Sequence, residues 1–168
     1  MPLAEMIKSK FIPGLQSVVD LGCGWRGAND VIGHIPTRIG IEWSQKLLDR
    51  SAHHYTQTFC VDVRKWLADP ALAQKADLYI MIDFLEHLSR PEGLELLWAI
   101  DKLATKEIVI FIPEGYCPAY PADEPGWQHE AEWFRDDFKN LGFQVEVLDK
   151  FHLGEYNALI AWKIKETQ

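Results

Sequence analysis

Short β-rich runs alternate with helical segments along most of this chain, and few folds accommodate that alternation. Residues 17–21, 38–42, 57–62, 77–82 and 107–112 read as strands, each closed by a glycine, an acid or a proline. Between them lie helical patterns: one beginning near Ala28, one at 44–52 after Ser44, one at 91–103 with Pro91 in its first turn, and one at 130–141 closed by Gly142. Alternating strands and helices pack as βαβ units on a mostly parallel sheet. The last two strands, 143–148 and 156–164, are joined by residues 149–155 alone. That link is shorter than the dozen or so residues of a parallel crossover, so these strands pair antiparallel as a hairpin at the sheet edge.

At 168 residues the chain has room for one core, and it buries enough surface to fold without a disulfide or metal. Its 17 basic and 25 acidic residues leave a net charge of −8, which argues against direct nucleic-acid binding and against docking on an anionic membrane. Cys23, Cys60 and Cys117 form no CxxC pair, so reduced thiols and a cytoplasmic location are expected. The N-terminus lacks the apolar stretch of a signal peptide, and no run is long enough to span a membrane. Trp66, Trp98, Trp133 and Trp162 read as packing residues.

The chemistry begins at Asp20-Leu21-Gly22-Cys23-Gly24-Trp25-Arg26-Gly27, where the first strand runs into glycines. Gly22-x-Gly24-x-x-Gly27 matches the dinucleotide fingerprint, with Glu42 where the ribose acid belongs. Two further acids fall in step. Strand one ends with Asp20 before the glycines, strand two with Glu42 and strand three with Asp62. Ligands of open α/β sheets sit beyond the carboxyl ends of the strands, so these carboxylates would line one rim. A pyrophosphate would be repelled by Asp20. A zwitterion bearing an adenosine and a positive centre would be accepted: Asp20 facing its ammonium, Glu42 its ribose hydroxyls, Asp62 its adenine amino group, with the Val63 amide as a donor. Any one acid alone would be an ordinary solvated strand end; the register of all three is the signal.

These residues resemble those of class I S-adenosylmethionine (SAM)-dependent methyltransferases. VVDLGCGWRG is similar to the family's first motif, GIEWS to the second-strand acid and its neighbour, VDV to the adenine-contact motif, and DLYIMIDFLEHL to the strand-four motif. The chain departs from the pattern at Arg26, where the family usually has glycine; here the glycine is Gly27. The resemblance covers residues 17–164. It implies an α/β, Rossmann-like, seven-stranded, mostly parallel sheet with a C-terminal antiparallel hairpin and helices on both faces. Residues 17–168 would form a single methyltransferase domain, and 1–16 a helical cover over the cofactor cleft. It implies SAM bound by Asp20, Gly22, Cys23, Gly24, Glu42, Trp43, Asp62, Val63 and Asp83; Cys23 reads as a small residue chosen for size, and Trp43 either stacks along the adenine or is a core aromatic.

Methyl transfer from a sulfonium is an in-line displacement. Positioning can supply about 7–11 kcal/mol of the barrier and a general base roughly 100- to 10,000-fold in rate. His87 is one candidate base, oriented by Glu86 or Asp83. His129 is the other, following a long proline-rich stretch, 113–126, with Tyr116 and Tyr120, that reads as a lid carrying Trp127 over the acceptor; the alternative for His129 is the N-cap of the helix at 130–141. Asp83, Glu86, His87 and His129 resemble the metal-ligand set of small-RNA 2′-O-methyltransferases, with aspartate replacing the first glutamate; no resident metal is expected. The expected activity is methylation of a small-molecule oxygen or nitrogen acceptor. The alternatives are a non-catalytic SAM-binding module working with a partner protein, and a nucleotide-dependent oxidoreductase. A homodimer is compatible with either.

Overall fold

Successive side chains of a strand point to opposite sides of the sheet, and in this chain both sides are covered. In the computed structural model, which describes residues 1–119 and 126–165, β1 (Ser17–Leu21) sends Val18 into one apolar layer and Val19 into the other. The same division runs through β4 (Ala76–Ile82), with Leu78 and Ile80 opposite Tyr79 and Met81, and through β5 (Ala104–Pro113), with Val109 and Phe111 opposite Ile108 and Ile110.

The Val18 side is closed by Ile7 of α1 (Leu3–Lys8), Ile32 of α2 (Asn29–Ile32) and Leu48 of α3 (Gln45–Ser51). The Val19 side is closed by Trp66 of α4 (Val63–Ala68), Leu97 and Ile100 of α5 (Arg90–Leu103) and Phe138 of α6 (Arg135–Asn140). Trp66 and Trp133 are fully buried, as packing residues should be. Trp98 is not: it lies one position past the buried Leu97 on α5, rotates to the outer face and is 57% exposed.

With β2 (Thr37–Glu42), β3 (Gln57–Cys60), β6 (Gln144–His152) and β7 (Tyr156–Ile164), the sheet has seven strands in the order β3-β2-β1-β4-β5-β7-β6. β1 pairs parallel with both β2 and β4, so the strand order reverses beside it. β7 is antiparallel to β5 and β6 and inserts between them, leaving β6 at the edge.

Three local readings change. β3 stops at Cys60 because Asp62 caps α4, its carboxylate accepting from the Arg64 amide at 2.8 Å. The last helix starts at Arg135 rather than at residue 130, because the preceding segment is tied down in extended form: the amides of Glu130 and Ala131 donate to the Glu86 carbonyl, and the Gly115 amide to that of Trp133. The N-terminal helix does not cover the cleft. Ile7 is inside the core, and no residue before β1 lines the cleft described next.

Candidate active site

β1 turns sharply at Gly22, whose φ of +74° suits a residue without a side chain. The amides of Gly22 and Cys23 both donate to the Ile41 carbonyl, tying the turn to β2. Glu42, only 5% exposed, completes the tie: one carboxylate oxygen accepts from the Gly24 amide at 3.0 Å and the other from the Ser44 amide at 2.9 Å. The acid at the end of β2 thus holds the glycine turn and the start of α3 in one frame.

A cleft of about 250 Å³ opens beyond these strand ends, and Gly22, Glu42, Trp43, Asp62 and Val63 line it. Asp20, expected to face a ligand's ammonium, is not among the lining residues, and neither are Cys23 and Gly24. Asp20 shares the side of β1 that carries Val18, which turns it toward α3 and away from the cleft. There it is 2% exposed and accepts from the Tyr55 hydroxyl, which itself accepts from the Ala28 amide. Burial pushes its carboxyl up to about 7, against the opposing pull of the Tyr55 hydrogen bond. Cys23 is packed beside Ser51, and burial raises its thiol, which makes it an unreactive small residue. Gly24 contributes its amide to Glu42 and lies behind the cleft wall.

Asp62 reaches the cleft with its carboxylate already engaged. The Arg64 guanidinium binds it, extends its other arm to Glu92, and holds Asp62 below the usual carboxylate range. Phe84 and Arg64 also line the cleft, and the motif reading missed both. Phe84 lies so close over Gly22 that a Cβ there would sit 2.1 Å from its Cδ2. Gly126 packs on the Trp43 indole and closes the cleft from the far side. Residues 120–125 of the expected lid, Tyr120 included, lie outside the described residues.

β4 ends at Asp83, which takes a left-handed φ of +48° and donates its amide to the Phe111 carbonyl. The next turn carries Glu86 and His87. Glu86 is 2% exposed; its Oε1 is 4.0 Å from His129 Nε2, and its Oε2 is buried with no hydrogen-bond partner among the described residues. His87 Nδ1 lies 3.0 Å from the Gln128 carbonyl, and the His87 and His129 rings meet edge to face at 5.0 Å. One ligand atom from each of Glu86, His87 and His129 falls within 4.8 Å of the others. Burial, and then the neighbouring Asp83, push the Glu86 carboxyl well above its usual range. Burial lowers both imidazoles, so they are neutral at pH 7 and able to accept a proton or a cation.

Asp83 stands apart from the cleft wall and faces His152 of β6, whose Nε2 is 3.8 Å from its Oδ1. His152 is the residue the motifs could not reveal: no local pattern marks it, and only the β6–β7 pairing brings it to the end of β4. A second cavity of about 370 Å³ lies beside His129, walled by residues after β5 and before α6.

No protein-family model and no curated protein matches the chain. Solved structures do. Magnesium protoporphyrin IX methyltransferase from Synechocystis PCC 6803, with bound SAM, superposes with a TM-score of 0.65 at 18% identity, over 97% of this chain and 76% of that one. A SAM-dependent methyltransferase from Archaeoglobus fulgidus gives 0.64 at 19% identity, over 95% and 94%. The small RNA methyltransferase HEN1 gives 0.66 at 15% identity, over 98% of this chain and 24% of that one. The chain therefore has the fold of the class I SAM-dependent methyltransferases. No helix among the described residues is long and apolar enough to cross a membrane.

Proposed function

We propose that this chain is a SAM-dependent methyltransferase acting on a small-molecule oxygen or nitrogen acceptor, with the cofactor in the 250 Å³ cleft. One observation carries the reading: Glu42 sits in that cleft beside the bare Gly22, and Arg64, the one cation among the described lining residues, is already paired. That donor set suits a ribose and a zwitterion and offers a pyrophosphate no free positive charge. When bound, SAM supplies a methyl group activated by positive sulfur. Gly22 lets the ligand approach backbone, Trp43 offers a flat face, and Glu42 and the Val63 amide offer an acceptor and a donor. Neutral His87 and His129 can take the acceptor's proton, with Glu86 steadying His129.

Calorimetry tests the reading. S-adenosylhomocysteine (SAH) should bind at micromolar affinity and nicotinamide dinucleotide should give no heat. Glu42→Ala should weaken SAH at least tenfold, since it removes the anchor of the glycine turn as well as a ligand contact. Binding of the dinucleotide in place of SAH would return the chain to the oxidoreductase reading.

A second reading gives Glu86, His87 and His129 a divalent cation. Their ligand atoms converge, and the Gln128 carbonyl lies 3.0 Å from His87 Nδ1, the kind of outer-shell contact that orients a metal-bound imidazole. Two imidazoles and one carboxylate suit zinc, manganese or iron better than magnesium. Such an ion would make an acceptor hydroxyl more acidic. Zinc or manganese should raise the melting temperature of the SAH complex by several degrees, and His129→Ala should remove that shift. An unchanged melt with either metal, compared with chelator, rejects this reading.

A further inference from the structure

We infer that the cavity beside His129 takes a methyl acceptor carrying an amine or ammonium group, and that it rejects carboxylates and phosphates; this rests on the methyltransferase reading above. The cavity measures about 370 Å³ and has His129 in its wall, while His87 lies in the wall of the cofactor cleft. Those two rings touch, so donor and acceptor spaces meet at the imidazole pair.

The charge around the cavity has one sign. Glu130 and Glu132 line it, and among the described residues no lysine or arginine does. Neither carboxylate has an ion-pair partner among the described residues. Two nearby cations are already engaged: Arg90 pairs with Asp137 and donates to the Glu132 carbonyl at 2.7 Å, and Arg135 grips Glu114 through two hydrogen bonds of 2.6 and 2.8 Å. Behind the wall lies Glu86, whose Oε1 is 4.0 Å from His129 Nε2 and whose Oε2 is buried with no hydrogen-bond partner among the described residues. From Glu107 through Phe134 the chain carries six acids and no lysine or arginine. An anionic acceptor would meet like charge at Glu130 and Glu132, whereas a cation would find two carboxylates without an ion-pair partner among the described residues.

The aromatic groups at the cavity point the same way. Tyr116 lines it, is 66% exposed, and packs edge-on against Tyr156 with centroids 6.2 Å apart. Tyrosine faces attract ammonium groups. An amine end held between Glu130, Glu132 and Tyr116 leaves the reacting atom to the His129 side.

A small-molecule extract, separated by ion exchange at pH 7 before the assay, tests this. Each fraction is incubated with SAM and the intact protein, and SAH release is measured by mass spectrometry. Release should be at least tenfold higher from the fraction held by the cation exchanger. The surface double variant Glu130→Lys/Glu132→Lys should raise the KM for that fraction at least tenfold while SAH still binds. SAH binding with release from the anion-held or unretained fraction, or from none, overturns the inference and leaves the cofactor reading standing. Absence of SAH binding overturns both.

Discussion

Replacing Gly22 by alanine should weaken SAH binding about a hundredfold and lower the melting temperature. Two costs coincide at this position. A side-chain-bearing residue at φ +74° pays about 1–2 kcal/mol in backbone strain. The new Cβ would also lie 2.1 Å from Phe84 Cδ2, so the ring must move. Phe84 lines the cleft, and moving it inward takes space from the cofactor. The ring also directly precedes the turn that carries Glu86 and His87, so its displacement reaches the catalytic candidates. The strain is present with or without ligand and lowers the melting temperature, whereas the ring's shift into the cleft lowers affinity; a loss of roughly 3 kcal/mol there is a factor of about 100. Phe84→Ala in the Gly22→Ala background should recover part of the loss. SAH calorimetry on the three proteins is decisive: wild-type affinity in Gly22→Ala would show that the turn does not face the cofactor.

Asp20→Asn should stabilise the protein at pH 8. Burial pushes the Asp20 carboxyl from 3.8 up to about 7, so folding favours its protonated form. That contribution is fully present below the unfolded value and is lost as pH rises through 7, where the carboxylate is ionised in both states and the folded state bears its burial. The shift corresponds to roughly 4 kcal/mol at most. Asparagine keeps an oxygen for the Tyr55 hydroxyl and carries no charge. Urea unfolding should find the variant about 2–4 kcal/mol more stable than wild type at pH 8, with the difference largely gone by pH 4. A variant less stable than wild type at pH 8 would mean that Asp20 is not buried as an uncompensated carboxyl.

The two predictions concern neighbouring residues of one motif, and they mark where local reading stopped. The alternation of strands and helices, the antiparallel hairpin and the turn at Gly22 are local properties. Each follows from the spacing of apolar residues, from glycine's backbone freedom or from the length of a link. The motif placed Gly22, Glu42, Trp43, Asp62 and Val63 in one rim, and they line one cleft. It placed Asp20 there too, although the period of two in β1 turns that side chain toward Val18's layer; the buried partner that receives it, Tyr55, lies 35 residues away and has no motif of its own.

The acceptor side was legible only in part. His87, Glu86 and His129 could be named, but their convergence depends on two amides of the segment before α6 bonding to the Glu86 carbonyl. His152 could not be named at all, because a side chain on β6 meets the end of β4 only through β7 inserting between β5 and β6. Backbone geometry and the side-chain period act over a few residues, so the sequence by itself determined the class of fold and five residues that line one cleft beyond the strand ends. Burial, shared protons and charge act between elements far apart in the chain, so only the tertiary structure decided which acids line the cleft, which are buried away from it, and which histidines meet.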